Sequence, residues 1–381
     1  MAAAGLMAAA LLEQGEDAFR RLFKYYKRRQ PPPDLSGIVD FSRAQHNCKV
    51  LIAPLNVTSI SDQDACKAGL QPVCKWKAYS LDGYPGFMFI SDPFLPGWQR
   101  YWVKQCLKIY PRKPNVCNLD LHMSREETTD LWEQSREQLR LKAPGKREAK
   151  SLLEKLRWVT LGYHYNWETK KYSPDHHTTF PTDLAHLSEQ VAAACGFQQF
   201  KAEAGILNYY HFDSSLGIHV DESEMDYSKP LLSFSFGQSA VFLLGGLKRQ
   251  DPPLPMFIHS GDIVIMSDRS RLFYHAVPRI VPNLEGRAVP SCLENTPIRD
   301  NCSADTSYQQ SDEDDWEICM KYLQSSRINM TVRQVVRVGQ SFPVVLDIEK
   351  MADSQLYSYH QDATEDHEHK RQKLETPAES P

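Results

Sequence analysis

Past Trp158 the chain breaks into short β-rich runs, Ala204 to Tyr210, Leu231 to Leu244, Met256 to Met266 and Arg271 to Val277, separated by Gly, Asp, Ser and Pro. Punctuation of this kind favours short strands that fold back on one another over long helices. Before Trp158 the character differs. From about Leu95 to Arg157 the pattern predicts helices around Trp98 to Tyr110, Ser124 to Leu141 and Lys146 to Trp158. Helices first and many short strands afterwards predict an α+β chain, with a jelly roll supported by N-terminal helices.

At 381 residues the chain can bury one large core with appendages, and one extended catalytic domain is expected. Residues 1–34 form a separate N-terminal segment. Phe19, Leu22, Phe23 and Tyr26 recur there at helical spacing among Arg20, Arg21, Lys24, Lys27, Arg28 and Arg29, which predicts a basic amphipathic helix. Pro31 to Pro33 end it, because proline removes donors and excludes helical backbone before it. This helix either docks on the domain or acts in targeting. Residues 35–157 are expected to be helical support. Residues 282–315, rich in Pro, Asn, Ser and acid, look like an insertion, and 346–381 read as a polar, disordered tail.

The net charge of −4 hides an uneven distribution. Between Arg100 and Thr160 there are 14 Lys and Arg against 8 Asp and Glu, while acid gathers at Asp312 to Asp315 and in the tail. That suits a polyanion-facing side, although a solvated charged face gives the same count. Nine cysteines without a CxxC pair fit neither a disulfide framework nor a structural zinc site, and imply a reducing, intracellular compartment. The first twelve residues lack the basic start of a secretory signal, and the apolar runs are too short to span a bilayer. The expectation is a monomer with no membrane association.

The chemistry starts at His219-Val220-Asp221. Two residues apart on an extended strand, the imidazole and the carboxylate project to one face and can approach one metal ion. A third ligand must come from elsewhere; two histidines and a carboxylate on one face of an octahedron would leave positions open, as non-haem iron(II) requires. The bland alternative is a solvated strand. A second strand pattern, Arg327 to Arg333, places Arg327, Asn329, Thr331 and Arg333 on one face and Ile328, Met330 and Val332 on the other. Two guanidinium groups there suit a small dicarboxylate, since the planar fork grips a carboxylate through two bonds. An edge strand with one wet face is the alternative.

These motifs, with Gly162-Tyr163-His164-Tyr165, Leu207-Asn208-Tyr209-Tyr210, Ser233 to Gly237, Gly245 to Arg249, Gly261 to Val264 and Ser270 to His275, stand in the order found in one family. Over Trp158 to Val336 the chain resembles the AlkB family of iron(II)- and 2-oxoglutarate-dependent dioxygenases, most closely a vertebrate branch of it. The resemblance implies a double-stranded β-helix and a dioxygenase domain over 158–345. It implies that iron(II) is held by His219, Asp221 and His275, and that His164 and His259 take no part in the metal site. It also implies that 2-oxoglutarate is held by Arg327, with Asn208, Tyr210, Asn329 and Arg333 around it, and that dioxygen is the oxidant. The family's nucleotide-recognition lid would begin within 35–157. Trp132 and the Tyr163-His164-Tyr165 segment are then candidates for contact with the base, each with ordinary packing as the alternative.

By the same resemblance the expected reaction is oxidative N-demethylation of nucleic acid, releasing formaldehyde, succinate and carbon dioxide, with 1-methyladenine in transfer RNA foremost and methylated adenine or cytosine in DNA next. The expected compartment is the nucleus, the mitochondrion or both. Bacterial members carry an acidic residue two positions after the ligand carboxylate; here that position is Ser223, so Glu224 is a candidate substitute, beside Asp221, for reading the base. A dioxygenase acting on protein such as histone tails, or a non-catalytic nucleic-acid-binding module, are the competing classes.

Overall fold

A computed structural model describes residues 17–46, 49–141, 149–294, 306–337, 339–340 and 342. The expected tail over 346–381, residues 1–16 and the middle of the expected insertion lie outside that description. Helix α1 (Ala18–Lys27) starts on Asp17, whose carboxylate accepts from the Arg20 amide at 2.8 Å. Its periodicity lays Phe19 and Tyr26 against Val241, Leu243, Phe257 and Ala276. Burying an aromatic such as Phe19 contributes about 1.5–3 kcal/mol, enough to dock a ten-residue helix that would not persist in water. Arg20, Lys24, Lys27, Arg28 and Arg29 are left exposed.

Strands β1 (Val50–Ile52), β2 (Lys77–Leu81) and β3 (Phe87–Ser91) follow, with a short helix α2 (Asp62–Lys67) between the first two. Next come α3 (Trp98–Lys104), which runs on into a π-turn, β4 (Val116–Cys117), α4 (Leu131–Leu141), α5 (Leu152–Lys155), β5 (Trp158–Gly162) and α6 (Thr182–Ala194). Two expectations are corrected here. The supporting segment 35–157 is not wholly helical, because Phe87 and Phe89 send their rings into the core between the sheets while Ile90, on the opposite face, joins the helix-side core, which makes β3 a strand of the large sheet. Nor does the stretch from Ser124 to Asp130 join α4: Ser124 and Glu127 cap one another in a local turn instead.

The remaining strands are β6 (Ala204–His211), β7 (Leu216–His219), β8 (Leu231–Gly237), β9 (Ser239–Leu244), β10 (Leu254–Ile258), β11 (Ile263–Met266), β12 (His275–Val281) and, after helix α7 (Thr306–Leu323), β13 (Ser326–Arg333). They build a nine-stranded sheet in the order β1-β2-β3-β11-β8-β13-β6-β5-β4 and a four-stranded sheet in the order β10-β9-β12-β7, antiparallel throughout. The apolar faces of the two sheets meet through residues such as Phe242, Met256, Val264 and Ile280. The outer face of the large sheet packs on α3, α4, α6 and α7 through Trp102, Trp132, Leu187 and Trp316.

Three further features matter for the site. The expected insertion does not stay irregular: the acidic run Asp312 to Asp315 belongs to α7, where Asp315 binds Lys108 and Glu313 faces Arg100. Among the described residues several cations of the basic stretch stand in ion pairs with acids of the same stretch, Arg112 with Asp130, Lys113 with Asp120, and on the exposed face of α4 Arg136 with Glu133 and Arg140 with Glu137, which leaves the excess of positive charge in place. Finally, β13 is no edge strand. It lies between β6 and β8, and all eight of its residues are buried.

Candidate metal centre and cosubstrate cavity

Register creates the centre. β7 and β12 pair antiparallel with His219 opposite His275, so a ligand at the end of one strand and a ligand 56 positions later become cross-strand neighbours, their rings 4.2 Å apart. Asp221 follows β7 by two residues and brings Oδ2 to 3.4 Å from His275 Nε2. One donor atom from each of the three lies within 4.8 Å of the others, the sole such metal-competent group among the described residues.

The histidines are oriented by the backbone. Nδ1 of His219 donates to the Gly217 carbonyl (2.9 Å) and Nδ1 of His275 to the Phe273 carbonyl (3.0 Å). A carbonyl can only accept, so Nδ1 carries a proton in both rings and Nε2 is the nitrogen left to face a metal. Burial, helped by the neighbouring His275, pushes His219 down to about 4, which keeps it a neutral ligand near pH 7. Burial works against the Asp221 carboxylate, but the Arg333 guanidinium beside it outweighs burial and holds the group well below the usual carboxylate range. Two imidazoles and one carboxylate beside an open cavity fit iron(II).

That cavity, of about 770 Å3, runs from the metal ligands across the polar face of β13. Arg327, Asn329, Thr331 and Arg333 all line it, while Ile328, Met330 and Val332 enter the helix-side core, as the alternation predicts. Arg327 is buried, and its Nη2 donates to Ser235 Oγ (2.8 Å) while Nε and Nη1 make no hydrogen bond among the described residues. Tyr210 Oη is likewise unsatisfied, and the Tyr210 ring lies 5.3 Å from the guanidinium. An unpaired buried guanidinium is costly, and a carboxylate entering the cavity would satisfy it; this fits 2-oxoglutarate. Asn208 lines the same wall. Asn329 is already committed, donating to Ser233 Oγ and the Phe234 carbonyl at 2.7 and 2.9 Å, so it braces the wall rather than offering a free donor.

Arg333 lines the same cavity, and its guanidinium is already engaged by neighbouring side chains. Its Nη2 stands 3.5 Å from Asp221 Oδ1, its Nε 3.2 Å from Glu224 Oε1, and Nη1 donates to Tyr172 Oη at 3.0 Å. It therefore braces the metal-binding carboxylate. Glu224 is buried too, with Oε2 2.6 Å from Arg271 Nη2, and these bonds leave it poorly placed to read a base.

On the substrate side, Tyr165 reaches the cavity and accepts from Ser223 Oγ at 3.3 Å. Other expected contacts do not reach it. Trp132 is 1% exposed and packs with Leu131 and Leu139 in the helix-side core, as its helical spacing allowed. The His164 side chain turns from the cavity, where its Nδ1 meets Thr160 Oγ1 at 2.8 Å. Tyr163 lies against His177, with ring centroids 4.4 Å apart. Sequence reasoning missed Trp167, Lys170 and Tyr172, which line the cavity from the hairpin after β5. The signal available was the aromatic and basic composition of Tyr165 to Tyr172, but only the fold turns that hairpin over the cavity.

The model of the 2OG-Fe(II) oxygenase superfamily matches residues 86–333, from the head of β3 to the end of β13. The chain is 61% identical over 351 residues to the human protein named nucleic acid dioxygenase ALKBH1, covering 90% of each chain. It is 31% identical over 359 residues to the Arabidopsis thaliana DNA N(6)-methyladenine demethylase ALKBH1A, covering 84% of this chain and 96% of that one. To the Schizosaccharomyces pombe tRNA demethylase abh1 it is 46% identical over 132 residues, covering 34% of this chain and 44% of that protein.

Proposed function

The chain belongs to the AlkB family of the 2OG-Fe(II) oxygenase superfamily and is a dioxygenase, and from that premise we propose that it removes N-methyl groups from nucleic-acid bases. The observation that carries the cosubstrate half is the buried Arg327, two of whose nitrogens make no hydrogen bond among the described residues, facing the cavity that His219, Asp221 and His275 also line. The substrate half is supported by the activities for which the human, plant and yeast relatives are named, and by the aromatic hairpin at the mouth.

In this reading His219, Asp221 and His275 hold iron(II), and Arg327 pairs with the distal carboxylate of 2-oxoglutarate, with Tyr210 and Asn208 beside it. Iron(II), 2-oxoglutarate and dioxygen together supply the oxidation, in which the cosubstrate goes to succinate and carbon dioxide while the N-methyl carbon is hydroxylated. The resulting hemiaminal expels formaldehyde and restores the amine. The chain's part is positioning: backbone carbonyls fix both imidazoles, Arg333 holds one Asp221 oxygen, and the apolar wall of Leu216, Phe242 and Val277 limits water near the reacting methyl. Tyr165 and Trp167 are the side chains to face an unstacked base.

The deciding experiment incubates the protein with iron(II), ascorbate, 2-oxoglutarate and either methylated tRNA, methylated DNA or histone peptides, followed by mass spectrometry. The expected result is loss of 1-methyladenine from tRNA with formaldehyde released, abolished by His219→Ala and Asp221→Ala. Turnover confined to histone peptides would overturn the nucleic-acid reading, and undiminished turnover in both variants would overturn the metal assignment.

A further inference from the structure

Arg271 and Glu224 lie outside the metal centre and outside the cosubstrate contacts, yet both side chains are almost fully buried and form an ion pair of 2.6 Å. Their positions in the chain give the pair its meaning. Glu224 follows Asp221 by three residues, and Arg271 precedes His275 by four, in the short turn Asp268–Leu272. The pair therefore ties the segment that carries the carboxylate ligand to the segment that delivers a histidine ligand.

The same carboxylate also organises Arg333. Glu224 Oε1 lies 3.2 Å from Arg333 Nε and 3.4 Å from Tyr172 Oη, while Arg333 Nη2 lies 3.5 Å from Asp221 Oδ1. Three buried charges, Arg271, Glu224 and Arg333, and the half-buried Asp221 thus alternate in sign and sum to zero. Among the described residues Glu224 is the one anionic partner of Arg271, whose Nε and Nη1 make no hydrogen bond and whose guanidinium stands 5.8 Å from the Tyr227 ring. Removing Arg271 leaves Glu224 with half of its positive surroundings, so Arg333 is drawn toward Glu224 and away from Asp221.

We propose that Arg271 and Glu224 are positioning residues which pre-set the metal centre from outside it, Glu224 by fixing the Arg333 guanidinium against Asp221 and Arg271 by neutralising Glu224. One oxygen of Asp221 is then committed to Arg333 and the other, 3.4 Å from His275 Nε2, is turned to the metal. This rests on the metal reading given above. It also removes Glu224 from base recognition, since both of its oxygens are engaged.

The test is titration of the full chain with manganese(II), a redox-silent stand-in for iron(II), by calorimetry, alongside thermal melting of the metal-free protein. Glu224→Gln keeps the shape and loses the charge, Arg271→Met keeps the stem, and Arg271→Lys restores a cation. Weaker manganese binding by tenfold or more in Glu224→Gln and Arg271→Met, the range seen when partners of metal ligands are removed, with Arg271→Lys recovering part of it, is the expected result. A purely structural pair would lower the melting temperature and leave the affinity of the folded protein unchanged, which would overturn the proposal. Should Arg271→Met fail to fold, Glu224→Gln decides. If the wild-type chain takes up no manganese, the metal reading itself fails and this inference with it; wild-type uptake with unaltered affinity in the folded variants defeats the inference alone.

Discussion

Arg327 concentrates the cost and the use of the site in one side chain. Its guanidinium is buried and, among the described residues, makes a single hydrogen bond, to Ser235, which leaves buried donors for a carboxylate to satisfy. Arg327→Ala is therefore expected to weaken 2-oxoglutarate binding by about 2 kcal/mol or more, roughly thirtyfold in Kd, measured by titration in the presence of manganese(II). Arg327→Lys should recover only part, since an ammonium cannot grip a carboxylate through two parallel bonds; wild-type affinity in the alanine variant would refute the assignment. This residue was legible in the sequence because a strand's period of two set Arg327, Asn329, Thr331 and Arg333 on one face. Arg271 was not legible as part of the site: a single arginine in a turn looks solvated until Glu224, 47 positions away, is folded over it. Trp132 misled for the opposite reason, since aromatic character suits a base and a core equally and helical spacing alone cannot choose between them.

Among the elements, the strands after Trp158 were the most legible, and β13 ends where the alternation said it would. What the pattern could not supply was partnership. That β3, from the segment read as helical, pairs with β11 depends on contacts far apart in sequence, and so does the turn that joins β10 to β11 at the far side of that pairing. That turn is buried against Asp92 and Gln99: a Cβ on Gly261, which has φ +88°, would come within 2.3 Å of Asp92 Oδ1. Burial, with Asp92 adding repulsion, pushes the Asp262 carboxyl up to about 7, and burial pushes Asp92 up to about 6. A folded carboxyl raised above its ordinary 3.8 holds a proton that the unfolded chain releases. Its contribution is full below about pH 4 and is lost as pH rises toward 7. The raised His259 acts in the same direction, its stabilisation being lost as pH rises above the ordinary 6.5. The melting temperature is accordingly expected to fall by about a few °C between pH 5 and pH 7.5. Asp262→Asn, which can still accept from the His259 amide, should flatten that slope; an unaltered slope would exclude Asp262 as its source.

At the scale of the whole molecule, the question is which form of nucleic acid can present a base to a cavity whose mouth is one short hairpin. Lys170 on the cavity wall and the exposed Lys171 beside it are cations placed to meet a phosphate near the mouth. Trp167 is 46% exposed beside Tyr165, with ring centroids 4.9 Å apart, and offers a stacking face. It stands at a rim, not on a wedge that enters a helix. Extracting a base from a stable duplex costs a few kcal/mol, and a loop removes much of that cost before the protein acts. The expected order is therefore a looped or unpaired substrate, folded transfer RNA above all, ahead of paired duplex. Trp167→Ala and Tyr165→Ala should each lower demethylation of a stem-loop by about tenfold, the worth of one base–aromatic stack of roughly 1–3 kcal/mol. Succinate formed without substrate should stay near wild type, because the two rings pack on Trp158, Tyr172 and one another and Tyr165 bonds Ser223, none of which belongs to β13. Oligonucleotides carrying the same 1-methyladenine in a stem-loop and in a perfect duplex provide the comparison. Faster turnover of the duplex would refute the order, and an equal loss of uncoupled succinate in the variants would move both aromatics from the substrate side to the cosubstrate side of the cavity.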